Sequence, residues 1–147
     1  MYKRPLSDIK YLVIHHTATP ESFSVDDIRK IHVEGPESMS DIGYHFLTNK
    51  TGLKVGRPAI YNGGHAFGEK THENINHKAL GLAIIGSYES HNASDKVINE
   101  TCYAIKRICV KYKIPLDRNY VFGHHRVDYT ACPGKNTMHL IYKKLGI

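Results

Sequence analysis

The 147-residue sequence is poor in cysteine and has no long apolar run, low-complexity tract, internal repeat or linker. Three cysteines, an odd number without repeated short spacing, argue against a disulfide framework and fit a chain folded in a reducing compartment. No stretch approaches the roughly 18 apolar residues of a membrane span, so membrane insertion is not expected. The N-terminal MYKRPLSDIKY is basic but lacks an apolar core and a small-residue cleavage site, so no signal peptide is expected. Acidic residues are outnumbered, 14 against 20 Lys and Arg, for a formal charge of +6. The basic residues are spread along the sequence, not gathered in a tract. The charge therefore favours polyanionic surroundings (nucleic acid, anionic lipid or an acidic wall polymer) without ranking them.

What is present is an ordinary globular composition and an excess of histidine. A chain of this length buries roughly two thirds of its unfolded surface, so one domain spanning residues 1–147 is expected, closing its core without disulfides. The apolar run KYLVIHH, 10–16, predicts a strand ending in polar groups, followed by a loop. Ser24 predicts a helix N-terminus, with Asp27 three residues on as an imperfect capping box and Ile28 and Ile31 on one face. GYHFLTN, 43–49, predicts a strand that turns at 51–52 into LKVGRP as a hairpin, and NGGHAFG, 62–68, a loop. ALGLAIIGSY, 79–88, predicts the central strand. Helical spacing from about 95 to 112 ends before Pro115, YVFGHH at 120–125 predicts a last strand, and a C-terminal helix is expected over about 136–145. Together these predict an α/β fold, a single mixed β-sheet flanked by helices.

Eleven histidines are many for this length. Cys102 and Cys109 lie on the apolar face of a predicted helix and read as core residues. His32, His72, His77, His91 and His139 have no partner pattern, and His45 in its strand suits the core or a supporting role as well as a ligand role. Three places differ. His15–His16 end an apolar strand, His124–His125 end another, and Cys132 follows His124 by eight residues in a loop stiffened by Pro133. Two histidines and a thiolate supply three zinc ligands and leave a fourth position for water, as catalytic zinc sites do. The competing use is Cys132 as nucleophile with histidine as base, although no third, orienting group stands out. Spacing alone cannot join His15 to Cys132.

The motifs VIHHTAT (13–19), DIGYHF (41–46), GRP (56–58), GGHA (63–66), LGLAIIGSY (80–88) and GHHRVDYTACPG (123–134) together resemble the zinc-dependent N-acetylmuramoyl-L-alanine amidases, including small phage endolysins, and the related peptidoglycan recognition proteins. The resemblance runs over roughly residues 9–140, with the motifs in the family's order. It implies zinc held by His15, His124 and Cys132. It also implies Tyr44 assisting attack or stabilising the oxyanion, Thr130 at a catalytic position that is lysine in some members, and His65 and Arg57 at the substrate cleft. Two departures stand out. His125 and Arg126 replace the family's usual Arg-Asp, so an aspartate support near the loop is expected to be missing. Ala83 stands where some relatives carry a catalytic glutamate.

The resemblance implies hydrolysis of the amide between N-acetylmuramic acid and L-alanine in bacterial peptidoglycan. A monomer, without a separate wall-binding domain, is expected to be stored in the cytoplasm until host lysis. A non-catalytic peptidoglycan-binding module is the alternative, since relatives without the ligand cysteine bind wall without cleaving it. A nucleic-acid or polymerase-binding role rests on the charge alone, and no nucleic acid is expected to be required.

Overall fold

The computed structural model describes residues 1–147. Five strands form one sheet: β1 (Tyr11–His16), β2 (Phe46–Asn49), β3 (Gly52–Val55), β4 (Ala79–Ile84) and β5 (Val121–Gly123), in the order β3-β2-β4-β1-β5. β1 pairs in parallel with β4 and β5, β2 pairs in parallel with β4, and β3 runs antiparallel to β2 at one edge. All six residues of β4 are buried, as expected of a central parallel strand covered on both faces, which is why its sequence is a continuous apolar run. The β2–β3 hairpin closes where Asn49 Oδ1 accepts from the Thr51 N–H at 2.9 Å and Gly52 takes φ +106°, a value only glycine adopts cheaply.

Four helices complete the fold: α1 (Val25–Glu34), α2 (Ile75–Lys78), α3 (Asp95–Tyr112) and α4 (Lys135–Leu145). At α1 the capping box is complete. Ser24 Oγ accepts from the Asp27 N–H at 3.1 Å, and Asp27 Oδ2 accepts from the Ser24 N–H at 2.8 Å. At α3, Ser94 Oγ accepts from the Val97 N–H at 3.2 Å, without a reciprocal bond.

Alternation along β1 decides which side the chemistry occupies. Leu12 and Ile14 join Leu80, Leu82 and Ile84 of β4 in the main core beneath α3 and α4. Val13 points the other way, into a smaller cluster with Ala66, Ile75 and Phe122. His15 shares the parity of Val13, so it projects from the face opposite α3, at the carboxyl end of β1.

Three boundaries differ from the sequence expectation. The strand predicted over 79–88 stops at Ile84, because the chain turns through Gly86, whose φ is +143° and whose N–H donates to Thr17 Oγ1. The strand predicted over 43–49 starts at Phe46, since the Gly43 N–H donates to His32 Nδ1 outside the ladder. The last strand ends at Gly123, and His124–Arg126 form a 3-10 turn. The short helix α2, capped by Asn74, was not anticipated.

Candidate metal centre

The side chains of His15, His124 and Cys132 each present a ligand atom, and these atoms lie within 4.8 Å of one another. Parallel pairing makes the meeting possible. Ile14 of β1 is in register with Gly123 of β5, which brings the residues following both strands to the same sheet end.

His15 is buried and held by another histidine. Its Nε2 lies 2.9 Å from His65 Nδ1, and its Nδ1 lies 3.8 Å from Cys132 Sγ. With Nε2 carrying the proton toward His65, Nδ1 keeps a free lone pair facing the thiol. His65 packs against the α-carbons of Gly63 and Gly81, where an added Cβ would come within 2.2 and 2.7 Å of its ring. Its loop is fastened by Asn76, whose Oδ1 accepts from the N–H groups of His65 and Ala66. His65 Nε2 is buried without a partner. Burial, then the neighbouring histidines, holds both His15 and His65 well below the usual imidazole range, so both are neutral at pH 7.

His124 is supported differently. Its Nε2 lies 2.7 Å from Asp128 Oδ2, leaving Nδ1 free. The Asp128 carboxylate also accepts from the N–H groups of Phe67, Gly68 and Glu69 at 3.0, 2.8 and 2.7 Å. Burial pushes this carboxyl up, but those donors and His124 outweigh it and hold it below its ordinary value. The expectation that this loop lacks an aspartate support is therefore corrected. Asp128, reached across the 3-10 turn four residues after His124, fills that role.

Cys132 is 7% exposed. Its Sγ accepts from the His16 N–H at 3.4 Å, and its own N–H donates to Thr130 Oγ1 at 3.2 Å. Burial pushes the thiol up to about 12, against a small opposing effect of the His16 N–H. His16 itself turns away from the cluster. Its Nδ1 accepts from the Tyr88 N–H at 2.9 Å, and its Nε2 lies 3.6 Å from Glu89.

The other candidates divide. Tyr44 lies beside His15, with ring centroids 5.2 Å apart, and burial followed by the Cys132 charge raises its hydroxyl pKa. Thr130 props the Cys132 main chain. His65 is placed as a support of His15, not on an open cleft wall. Arg57 is buried, and its Nε, Nη1 and Nη2 donate to the carbonyls of Ile42, Asn62 and Asp41, so it braces loops in place of presenting a free guanidinium. Ala83 is in register with His15 and adds no acid. His45, also buried, accepts from the Gly81 N–H through Nδ1 and lies 2.9 Å from the Tyr61 carbonyl through Nε2. Cys102 and Cys109 are buried in the main core. Asp128 is the functional residue that sequence reasoning missed; its signal was a carboxylate four residues after a candidate ligand histidine.

The donor set fits a divalent metal such as zinc. Two imidazoles, each with one nitrogen committed to a supporting group and the other free, converge with a thiol. A Cys–His nucleophile pair fits less well, because the thiol is raised and the adjacent imidazole lowered, the reverse of an activated ion pair.

Residues 5–135 match the family model described as N-acetylmuramoyl-L-alanine amidase. The chain belongs to that family. Among N-acetylmuramoyl-L-alanine amidase structures it is similar to LysC from Clostridium intestinale URNW, at 26% identity and a TM-score of 0.79, covering 100% of this chain and 93% of that one. Among curated relatives it is 28% identical to peptidoglycan-recognition protein SC2 of Drosophila simulans over 88% of this chain and 71% of the relative. It is 25% identical to the endolysin of Enterobacteria phage T3, over 88% of this chain and 83% of the relative. The amidase-like fold, a mixed sheet flanked by helices, is thus shared by lytic and recognition branches of the family.

Proposed function

We propose that this family member is a zinc-dependent amidase that cleaves the bond between the muramic-acid lactyl group and L-alanine of bacterial peptidoglycan. The observation that carries this reading is the convergence of His15, His124 and Cys132, each second histidine nitrogen being already committed. Zinc held by His15, His124 and Cys132 would lower the pKa of a bound water to about 7, as in other hydrolytic zinc sites, and would polarise the scissile carbonyl. The protein's own groups do the rest. His65 and Asp128 fix which imidazole nitrogen faces the metal. Thr130 and the His16 N–H hold Cys132, so Thr130 acts here by positioning the thiolate. Tyr44, kept protonated by burial, donates its hydroxyl to the amide oxygen as negative charge develops. Arg57 keeps the loops around Tyr44 and Asn62 in place.

Incubation with purified peptidoglycan, with and without a strong chelator, tests the reading. New L-alanine amines and free lactyl ends should appear in equal amounts, only in the metal-replete sample. Cys132→Ala should abolish both, and Tyr44→Phe should lower kcat by about 100-fold. Full activity after exhaustive chelation, with no metal by elemental analysis, would sink it. Binding of wall without any release of amines would favour the recognition-module alternative, against which the intact cysteine and Tyr44 speak. Endolysin relatives make bacterial lysis from inside the natural setting of such an activity. No helix is long and apolar enough to cross a membrane.

A further inference from the structure

The face opposite the candidate metal centre carries a local concentration of positive charge. Residues 101–116 contain no acid and four cations, Lys106, Arg107, Lys111 and Lys113. α3 turns its cysteines and isoleucines into the core and exposes Tyr103, Lys106, Arg107, Val110 and Lys111. None of the four cations is paired with a carboxylate. Two surface grooves, of about 550 and 710 Å³, flank the C-terminal half of this helix and share Lys111 and Tyr112. One is lined by Phe46, Leu53 and Val55, the other by Leu6, Ile9 and Ile60, and no carboxylate lines either. Large apolar side chains stand in water between the cations: Val110 is 82% exposed and Val55 66%.

We propose that this face docks the protein on the surface of an anionic lipid bilayer. The charge is complementary to acidic headgroups, and each basic side chain near such a surface strengthens partitioning about fivefold. Apolar contacts separate this occupant from other polyanions. Val110, Val55, Leu6 and Ile60 can enter the boundary between headgroups and acyl chains, whereas a nucleic-acid phosphate backbone would leave them wet. A folded protein partner would call for an enclosed anchor pocket, and the apolar groups here are spread singly over a broad face. Because α3 covers the sheet face opposite His15, docking leaves the metal centre facing away from the lipid. The inference does not depend on the proposed amidase activity.

Sedimentation with vesicles of phosphatidylcholine containing 30% phosphatidylglycerol, against pure phosphatidylcholine, is the test, at about 0.05 and 0.3 M salt. The wild-type protein should pellet with the anionic vesicles at low salt and not with the zwitterionic ones. Lys106→Ala/Arg107→Ala/Lys111→Ala should weaken partitioning on the order of 100-fold. Lys10→Ala/Lys30→Ala/Lys50→Ala removes equal charge elsewhere and should change it less than fivefold. Val110→Asp should weaken vesicle binding while leaving retention on duplex DNA or polyglutamate nearly unchanged. Thermal melting of each variant checks folding, and the three single alanine variants, each expected to lose about fivefold, serve should the triple variant fail to fold. Absence of wild-type pelleting, equal losses in both triple variants, or tighter retention on DNA or polyglutamate than on vesicles overturns the proposal.

Discussion

The two histidines of the candidate metal centre are held by different chemistry. His15 leans on His65, a neutral imidazole buried against Gly63 and Gly81. His124 leans on Asp128, an ionised carboxylate fed by three main-chain N–H groups. The first support depends on keeping protons out, the second on keeping a negative charge in. A dication between them would be balanced by charge from the Asp128 and Cys132 side, while the His15 side contributes rigidity and low polarity. The two halves should therefore fail under different stresses.

Acid is the stress with the largest expected effect, and it acts most on the His15 side; burial lowers His124 too, but Asp128 opposes that shift. Burial lowers the His45 pKa to about 3 and holds His15 and His65 well below the imidazole range. Once unfolded, these histidines take up protons near pH 6.5, while in the folded protein they do not. The folded pKa values are depressed, so the stabilisation is full above about pH 6.5 and is lost as pH falls toward the folded values. The slope is about 1.4 kcal/mol per pH unit for each such histidine, amounting to several kcal/mol between pH 6.5 and 4.5. Asp128, whose pKa is lowered in the fold, stays ionised through that window, and its contribution is lost only as pH falls below the carboxylate range. Melting of the metal-free protein should show Tm falling steadily from pH 7 to 4.5. A flat profile there would break the contrast between the two supports.

Replacing Asp128 attacks the other half. Asp128→Ala leaves three main-chain donors and the His124 Nε2 without their acceptor, at about 3–5 kcal/mol of stability, as for a broken buried ionic network. Metal affinity should also fall by roughly 10–100-fold, as when such supports are removed elsewhere. Competition with a chromogenic zinc indicator and melting of the metal-free variant separate the two effects. Unchanged affinity with lowered Tm would mean that the carboxylate serves only the 67–69 loop. His65→Ala should cost less, about tenfold in metal affinity, because it removes a neutral hydrogen bond. His65→Gln, whose amide oxygen can accept the same proton, should recover part of it. A loss at His65 exceeding that at Asp128 would invert the ranking of the two supports.

Much of the scaffold was legible because its signals are local. The β1 and β4 runs, the Ser24 cap with Asp27, and the α3 spacing that ends before Pro115 each lie within one short stretch. The meeting of His15 with Cys132, 117 positions apart, is not local. It follows from the parallel pairing of β1 with β5, which no spacing rule supplies, and only resemblance joined the two in the sequence. Asp128 was overlooked because the supporting aspartate was sought directly after the Gly-His motif, where His125 and Arg126 stand, and not four residues beyond His124. The 3-10 turn at His124–Arg126 folds positions 124 and 128 together. Arg57 shows a different gap. The motif that resemblance places at the substrate cleft says nothing of the bracing its guanidinium provides, with three donors on the carbonyls of Ile42, Asn62 and Asp41. The cations at the end of α3 lie close together in sequence, but that they share one exposed face follows only once the helix buries its other side.

The smallest expected effect concerns how the shared cysteine is held between the two halves. Thr130 Oγ1 accepts the Cys132 N–H at 3.2 Å, a single neutral hydrogen bond in a half-buried loop. Thr130→Val keeps the shape and removes the acceptor, which should destabilise by about 1 kcal/mol. If the hydroxyl acts through Cys132, metal affinity should fall a few-fold while kcat of the metal-saturated protein stays close to wild type. If it instead touches the reacting amide, kcat should fall by 100-fold or more, in the range of a lost oxyanion donor, with metal affinity unmoved. Thr130→Ser, which retains the hydroxyl, should behave as wild type in both measurements. Saturating the Thr130→Val variant with zinc before the peptidoglycan assay makes the distinction, because a positioning defect is then filled by mass action and a chemical one is not.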